Sequence, residues 1–325
     1  MRIDKFIVIL LVVALTACAK VDEVEMPVRE CAMMPVGGRA SASACVLNGK
    51  GYVFGGRDAD GICYKDLWQY DPATDSWTSK GTMPGRARVN ACMIAYQGCL
   101  YVGLGFAGGG AYNDDKYLRD WWRWNPATDK WDTLARYPDI ATIAAVPYIV
   151  GDRIYAIYGA SDCFTRALTW YDVAGDSWYR EEDNHFRAQS GFKGAGAKVL
   201  DTYYYGLGYN SVNQNQWYRV DLLNDKWTKC TSLPGKGRTF SAYCASNRYI
   251  YVFGGRYFGG DMTGGEVFAD IMRYDPEADS WARGGAMPCG RAENQIAFSI
   301  GEKVYFGMGE DKNGNIIQHL YCIDE

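Results

Sequence analysis

The sequence is poor in several residue types on which particular functions depend. Only two of its 325 residues are histidines, His185 and His319, and no Cys-x-x-Cys pair or Cys/His cluster has metal-ligand spacing. Lysine and arginine number 34 against 38 aspartates and glutamates, so the chain lacks the basic excess that neutralises phosphates in nucleic-acid binding. We therefore expect no metal or other cofactor and no nucleic-acid partner.

The residues that are abundant favour a β-protein. Hydrophobic residues make up 48% of the chain and charged residues 22%, which is enough apolar material to bury a core. Aromatic residues reach 15%, and 38 glycines stand against 10 prolines, a balance typical of many short strands joined by tight turns. We predict an all-β protein.

A short apolar run lies near the N-terminus. Arg2 and Lys5 precede it, and residues 6–15 form it, which is fewer than the roughly 20 residues that span a bilayer. This arrangement is typical of a signal peptide. The run ends in Leu15-Thr16-Ala17-Cys18, which resembles the lipobox of bacterial lipoproteins, whose cysteine becomes the lipid-modified first residue. The alternative is an ordinary signal peptide in which this cysteine is incidental.

The lipobox resemblance implies how the chain is divided. We predict a signal peptide over residues 1–17, lipidation at Cys18, a tether over residues 18–25 and one domain over residues 26–325. The chain would then be a lipoprotein of the cell envelope that contacts the membrane only through its lipid anchor. Position 19 lacks the aspartate that resembles an inner-membrane retention signal, so we expect the outer membrane, with the domain either periplasmic or surface-exposed.

Two signals recur along the chain with a period near 50 residues. The first is a strand that ends in glycines, as in Gly51-Tyr52-Val53-Phe54-Gly55-Gly56, and its tyrosine recurs at intervals of 47 to 54 residues. The second is Tyr70-Asp71-Pro72-Ala73-Thr74-Asp75-Ser76-Trp77. The recurring residues are Tyr52, Tyr101, Tyr155, Tyr204, Tyr251 and Tyr305, and Trp77, Trp131, Trp178, Trp227 and Trp281. These motifs and their period resemble the kelch repeat, in which each copy is a propeller blade.

Each copy divides into four strands. In the first copy, Asn48-Gly49 is a preferred hairpin turn between residues 43–47 and the tyrosine strand, and the Asp-Pro sequence turns the chain into an outer strand. Helical repeats are excluded because apolar residues alternate with period two. The third and fourth copies have Tyr158-Gly159 and Gly206-Leu207-Gly208 where the kelch family has adjacent glycines, so we expect irregular loops there.

The sixth copy ends before its outer strand and tryptophan. Met34-Pro35 follows Val28 by six residues, as Met83-Pro84 follows Trp77, so residues 28–34 match an outer strand. We predict a six-bladed kelch-type β-propeller whose last blade is closed by this N-terminal strand, which removes the open sheet edge.

We expect most of the ten cysteines besides Cys18 to be free thiols in the core. Disulfides are the usual expectation in an exported protein. However, Cys45, Cys92 and Cys244 each follow an arginine by six residues, where another copy has Ala297. The position therefore requires a small buried residue.

One face of the predicted propeller gathers charged residues. The loop after the glycines and the loop that leads into the next inner strand emerge on this face, and the Asp-Pro turns emerge on the other. The candidates for ligand binding are Arg39, Arg57, Arg86, Arg238, Arg256, Arg291, Asn90 and Asn294, with Glu293 and Glu310 beside them. A ring of arginines suits a carboxylated ligand. The alternative is that each arginine bonds backbone or an aspartate of a neighbouring blade.

Two loops on this face are longer than their counterparts. From the strand tyrosine to the repeat tryptophan, copies two and five have 30 residues, against 25 in the first copy and 23 in the third and fourth. Blades two and five lie opposite each other in a ring of six. Loops 106–112 and 257–261 would therefore form two walls over the arginines, with Phe106 and Tyr257 as ligand-binding aromatics. The alternative is that these glycine-rich segments are spacers.

These features favour a non-enzymatic binding module, a lipid-anchored monomer that presents one face to an acidic glycan or to a protein. The kelch resemblance also implies an enzymatic alternative. Galactose oxidase needs copper held by histidines, which cannot be assembled here, whereas exported N-acetylneuraminate epimerases act on a carboxylated sugar. A catalytic base is then sought at Glu310 or Glu293, although the loop around Tyr209-Asn210 lacks the acid that this resemblance implies. A structural subunit of a surface complex is the third alternative.

Overall fold

The computed structural model describes residues 21–108, 116–138, 142–157, 167–182, 191–224, 226–260 and 264–325. Its regular structure consists of β-strands, which form six four-stranded blades around a central channel. The predicted six-bladed all-β propeller is therefore confirmed. Cys18 and the predicted signal peptide lie outside the described residues. Within the described ranges, no helix is both long and apolar enough to cross a bilayer.

The strands of each blade follow one another along the chain. From the channel outward, blade one consists of Ser43–Leu47, Lys50–Phe54, Asp66–Asp71 and Ser76–Thr82. Blade two consists of Cys92–Tyr96, Cys99–Gly103, Trp121–Asn125 and Lys130–Leu134. Blade three consists of Val146–Val150, Arg153–Ile157, Ala167–Asp172 and Ser177–Glu182.

The second half of the ring repeats this order. Blade four consists of Ala195–Val199, Thr202–Gly206, Trp217–Asp221 and Lys226–Cys230. Blade five consists of Ala242–Ala245, Ile250–Phe253, Asp270–Asp275 and Ser280–Ala286. Blade six consists of Ile296–Ile300, Lys303–Gly307, Leu320–Asp324 and Val28–Cys31. Two-residue strands are Asp22–Glu23, Tyr209–Asn210, Val212–Asn213, Arg256–Tyr257, Glu266–Val267, Ala292–Glu293 and Glu310–Asp311.

The repeated tyrosine, aspartate and tryptophan join each blade to its neighbour. In blade one, Asp75 accepts hydrogen bonds from the Tyr70 hydroxyl at 2.6 Å and from the Ala32 amide at 2.9 Å. The Trp77 indole donates to the Ala32 carbonyl at 2.8 Å. The same three bonds recur in blades three and five, around Asp176 and Asp279. The second repeat motif therefore holds the backbone that follows the preceding outer strand.

The N-terminal strand closes the ring as predicted. Val28–Cys31 pairs antiparallel with Leu320–Asp324, which is a shorter strand than the predicted residues 28–34. Within the predicted tether over residues 18–25, Asp22–Glu23 pairs in parallel with the outer strand of blade five. Met26 then packs against Gly284 of the same strand, so the chain is anchored to two blades before it enters the repeats.

Left-handed residues turn the chain at the end of the tyrosine strands of blades one, two, four, five and six, and Tyr158-Gly159 of blade three lies outside the described residues. Gly55 and Gly56 have φ of +64° and +86°, and Leu207 and Gly208 have φ of +60° and +87°. Leu207 therefore adopts the backbone conformation that Gly55 has in blade one. The turn of blade four is regular, whereas we expected an irregular loop there. The second glycine joins neighbouring blades, since the Gly56 amide donates to the Arg88 carbonyl at 3.0 Å.

Candidate functional site

Six left-handed residues, one from each blade, surround one end of the channel. Each lies two residues before an innermost strand, and together we call them the mouth ring: Ser41, Asn90, Ala144, Lys193, Phe240 and Asn294, with φ between +51° and +58°. Backbone hydrogen bonds join five of its members in sequence, for example from the Asn90 amide to the Ser41 carbonyl at 2.9 Å and from the Ala144 amide to the Asn90 carbonyl at 3.0 Å. Left-handed geometry directs these amides along the ring.

The channel behind the mouth ring is narrow and lined by small side chains. It encloses a cavity of about 290 Å³, whose walls come from the innermost strands of all six blades. Asn90 and Lys193 line its polar end, and Ala44, Gly196 and Ala297 are typical of its walls. This volume is close to the lower limit of small-molecule sites, and the cavity is continuous with the mouth through Asn90 and Lys193.

Two carboxylate–arginine pairs lie beside the mouth ring. Arg57 Nη2 lies 2.7 and 2.6 Å from the two oxygens of Glu310, and the Glu310 side chain is 9% exposed. Arg256 Nε lies 3.0 and 2.8 Å from the two oxygens of Glu293, whose side chain is 7% exposed. Burial makes such charges costly unless they are paired, and each carboxylate has its own guanidinium.

Backbone pairing brings the two carboxylates together. Glu293 is opposite Glu310 in a short antiparallel ladder, a register that places Cβ atoms roughly 5 Å apart. Arg57 comes from blade one and Arg256 from blade five, so these arginines hold the two glutamates from opposite sides. Asn294 Nδ2 also donates to Glu310 at 2.8 Å, which joins this group to the mouth ring.

Lys193 is the functional candidate that sequence reasoning missed. Its ammonium donates to Asn294 Oδ1 and to Ser41 Oγ, the latter at 3.4 Å, and lies 4.7 Å from the centre of the Phe240 ring. Desolvation lowers its pKa to about 7, although the charges of Glu293 and Glu310 oppose this shift. One feature of the sequence could have identified it. Lys193 lies two residues before an innermost strand, as the predicted candidates Asn90 and Asn294 do.

Aromatic rings flank this lysine. Phe240 lies between Phe192 and Phe258, with ring centres 5.6 and 5.7 Å away and the rings nearly perpendicular. Tyr209 continues the row, 5.7 Å from Phe258. Phe192 and Phe240 are half-buried, so their exposed edges form an apolar border of the mouth. Such a border suits the apolar face of a sugar or an amino-acid side chain.

Arg39 and Arg238, which we predicted at the mouth, are buried instead. Each is 2% exposed, because Arg39 bonds both oxygens of Asp66 and Arg238 bonds both oxygens of Asp270. The prediction that these two bind a ligand is therefore wrong, and the alternative of an ion pair with an aspartate is correct for them. In blade two the residue equivalent to Arg39 and Arg238 is Arg88, which is fully buried and bonds both oxygens of Asp120.

The alignment of Arg86 with these positions was therefore wrong by two residues. Arg86 is exposed and precedes the buried Arg88. Arg291 is also exposed, and it bonds Glu266 at 3.3 Å and the Val267 carbonyl at the rim of blade five. The arginines that pair with the two glutamates of the mouth are Arg57 and Arg256.

The two predicted wall aromatics have different surroundings. Phe106 is 8% exposed and packs against Tyr117 at 5.3 Å and against Val89, so it is a core residue rather than a ligand contact. The local sequence around Phe106 does not indicate this burial. Tyr257 is half-buried, and Lys236 lies 5.1 Å from its ring centre. Residues 109–112 and 261 of the two loops lie outside the described residues.

The histidine that the structure describes lies on the outer part of blade six. His319 bonds Glu30 on the outer strand of that blade at 2.6 Å, and His185 lies outside the described residues. Among the described residues, no group of three or more histidine, cysteine, aspartate or glutamate side chains has the arrangement of a metal site.

Comparison with known proteins identifies similar families. The profile of the KLHDC2/KLHL20/DRC7 Kelch-repeats domain matches residues 16–208, and that of N-acetylneuraminate epimerase matches residues 189–322. Kelch-like protein 25 of Xenopus tropicalis is 27% identical over 249 residues, which are 75% of this chain and 40% of that protein. The chain thus spans about 40% of the length of this relative.

Two further similarities are to an epimerase sequence and to a solved structure. An N-acetylneuraminate epimerase of Escherichia coli is 23% identical over 297 residues, covering 74% of this chain and 79% of that protein. The solved structure of YjhT superimposes with a TM-score of 0.74 and 17% identity, covering 89% of this chain and 95% of that one, which shows a shared fold. The matching profile spans more than half of the sequence, and the structure has the blades that the repeats predict: this chain belongs to the kelch-repeat family of β-propellers.

Proposed function

We propose that the mouth of this propeller binds an acidic sugar, and that the chain acts as a lipid-anchored binding module at the cell envelope. The observation that carries this proposal is the convergence of Lys193, Arg57 and Arg256 on one end of the channel, with two glutamates among them. Three cations against two carboxylates leave one positive charge when Lys193 is protonated. A ligand carboxylate would balance that charge.

The other groups at the mouth suit the rest of a sugar. The side-chain amides of Asn90 and Asn294 and the Ser41 hydroxyl can exchange hydrogen bonds with ligand hydroxyls. The half-buried edges of Phe192 and Phe240 offer apolar contact beside them. A binding site of this kind lies mostly on residues of the rigid ring, which reduces the ordering cost of binding.

A thermal-shift screen tests the proposal. The chain from residue 19, which contains every described strand, is screened with neutral sugars, sialic acids, uronic acids and acidic oligosaccharides. An acidic sugar at 100 times its dissociation constant should add about 2.7 kcal/mol to the free energy of unfolding, and neutral sugars should add little. If no sugar stabilises the folded chain, the glycan proposal fails and a protein becomes the expected occupant.

Arginine variants locate the binding site. Arg57→Ala plus Arg256→Ala should weaken binding at least about tenfold, because both charged donors near the ligand carboxylate are lost. The matched control is Arg123→Ala plus Arg283→Ala, whose partners Asp132 and Glu23 lie on outer strands. Unchanged binding by the mouth double variant would refute the site, provided that circular dichroism shows it to be folded.

An enzyme that modifies sugars, similar to N-acetylneuraminate epimerase, is the second candidate. It is favoured by the position of Lys193 beside the carboxylates of Glu293 and Glu310, since an amine whose pKa is about 7 can accept a proton at neutral pH. Incubation with each anomer of N-acetylneuraminate, followed by proton NMR, measures any interconversion above the uncatalysed rate. An enzyme would lose activity in Glu310→Gln or Glu293→Gln, whereas in a binding module these changes only modulate affinity.

The envelope location is tested separately. The chain is expressed in bacterial cells with labelled palmitate. Label on the wild-type chain, and no label on Cys18→Ser, would support the lipid anchor. A chain that is exported and soluble in both forms would contradict the anchor while leaving the sugar-binding proposal intact.

A structural subunit would instead tolerate changes at both the arginines and the glutamates.

A further inference from the structure

Two cysteines lie on the pair of strands that closes the propeller. Cys31 is the last residue of the N-terminal strand Val28–Cys31, and Cys322 is in the last strand of the chain, Leu320–Asp324. In the antiparallel register, Arg29 is opposite Cys322 and Cys31 is opposite Leu320. Alternate residues of a strand share one face, so Cys31 and Cys322 are diagonal neighbours on the same face.

Both side chains point into one apolar cluster. Cys31 is 5% exposed and Cys322 is fully buried, and they share this cluster with Tyr70, Tyr305 and Leu320. The two thiols influence each other's ionisation: the neighbouring Cys322 lowers the pKa of Cys31 although desolvation opposes the shift, and Cys31 together with burial raises the pKa of Cys322. Arg29 Nη1 lies 3.4 Å from the Cys31 sulfur and favours its thiolate.

We propose that Cys31 and Cys322 form a disulfide that covalently locks the ring by joining its N-terminal closing strand to the last strand of the chain. The closing strand is a four-residue edge strand with one sheet neighbour, so it can make the short shift that an S–S bond of about 2.05 Å requires. Both residues carry free thiols in the structure, which is the reduced state of this pair.

A disulfide of the oxidised glutathione type serves as the oxidant. The Cys31 thiolate attacks one sulfur of that disulfide, and one donor thiolate leaves while a mixed disulfide forms. The Cys322 thiol then gives up its proton as its sulfur attacks the Cys31 sulfur, and the second donor thiolate leaves. The two cysteine protons pass to the two donor thiolates, so one donor disulfide is reduced to two thiols as one protein disulfide forms.

The position of the bond makes its effect large. It encloses almost the whole chain between residues 31 and 322, so it removes more conformational freedom from the unfolded state than a short loop would. It also holds the strand whose release would open the ring. The oxidised chain should therefore melt roughly 5 to 10 °C above the reduced chain.

Mass spectrometry and thermal unfolding test the lock together. The chain from residue 19 is equilibrated with reduced and oxidised glutathione, its remaining thiols are alkylated, and its peptides are mapped without reduction. We expect a linked peptide that joins Cys31 to Cys322, and a melting temperature that falls on reduction. The redox dependence should vanish in Cys31→Ala and in Cys322→Ala.

The controls are Cys92→Ala and Cys244→Ala, which remove buried thiols from blades two and five. Each should lower the melting temperature as a small cavity does, but each should keep the redox dependence. The proposal would be overturned if the oxidised wild-type chain contained no Cys31–Cys322 peptide. It would also be overturned if the oxidised and reduced chains melted at the same temperature. This result does not depend on whether either single variant folds.

Discussion

At the scale of single residues, similar arginines have different roles because their partners differ. Arg39 bonds Asp66 at the start of a third strand, and the Trp68 indole also donates to that aspartate at 2.8 Å. Burial raises the pKa of Asp66, but the bonds from Arg39 and Trp68 outweigh it and leave that pKa lowered. Arg57 bonds Glu310 of another blade and stays 30% exposed. Only the second kind of arginine is available to a ligand.

The charge of Lys193 should make ligand binding depend on pH. Desolvation lowers its pKa to about 7, so the ammonium form prevails below pH 7 and the neutral amine above it. A carboxylated sugar binds the ammonium form better, which raises the pKa of Lys193 in the complex. Affinity should therefore be highest below pH 7 and fall by up to about tenfold per pH unit above it.

This dependence is measured by calorimetric titration between pH 6 and 9. The ligand is the carboxylated sugar that gives the largest thermal shift. Lys193→Met should bind more weakly at pH 6 and lose the decline above pH 7. The control is Lys198→Met, on the same blade, whose exposed ammonium lies 3.3 Å from Asp201. A wild-type affinity that stays constant across this range would contradict a role for the Lys193 charge.

At the scale of elements, the glycine-terminated strand depends on close contact between blades. The Gly255 amide donates to the Ala292 carbonyl of the next blade at 2.8 Å, as the Gly309 amide does to the Arg39 carbonyl at 2.8 Å. Gly255 has φ of +93°, and a Cβ there would overlap Ser241 Oγ and lie 2.7 Å from the Thr239 carbonyl oxygen. Side chains are therefore excluded by the neighbouring backbone as well as by φ.

Gly255→Ala should lower the free energy of unfolding by about 3 kcal/mol, because backbone strain and crowding add. Gly61→Ala is the matched control, since Gly61 has φ of +78° but a Cβ added there would have no described atom within 4 Å. It should cost about 1 kcal/mol from the left-handed conformation alone. Denaturant unfolding of both variants measures the difference, and equal losses would show that crowding against Thr239 and Ser241 is unimportant.

At the scale of the whole molecule, the ring depends on a strand taken from the opposite end of the chain. Val28–Cys31 covers Leu320–Asp324, which would otherwise present unpaired backbone groups to other chains. Asp22–Glu23 adds a two-residue parallel contact to blade five. Closure therefore depends mainly on the four-residue strand.

Truncation separates these two contacts. A chain that begins at residue 32 should lose about 4 kcal/mol of stability, because the apolar contacts of Val28 and Cys31 are removed, and should form oligomers through the exposed edge. A chain that begins at residue 25 loses the parallel strand Asp22–Glu23 and the contacts of Val21 and Val24, but it keeps the closing strand and should remain monomeric. Thermal unfolding and size-exclusion chromatography compare the two, and similar behaviour would show that the closing strand contributes little.

The sequence by itself determined the number of blades, their strand order and the strand that closes them. These features repeat with a period near 50 residues, and alternation with period two and hairpin turns are local properties of the chain. The tertiary structure decided which charged residues form the mouth. Lys193 meets Ser41 across 152 residues of sequence, and Arg57 meets Glu310 across 253. Such contacts, and the burial of Arg39 and Phe106, depend on how separate blades face each other around the channel, which no local pattern encodes.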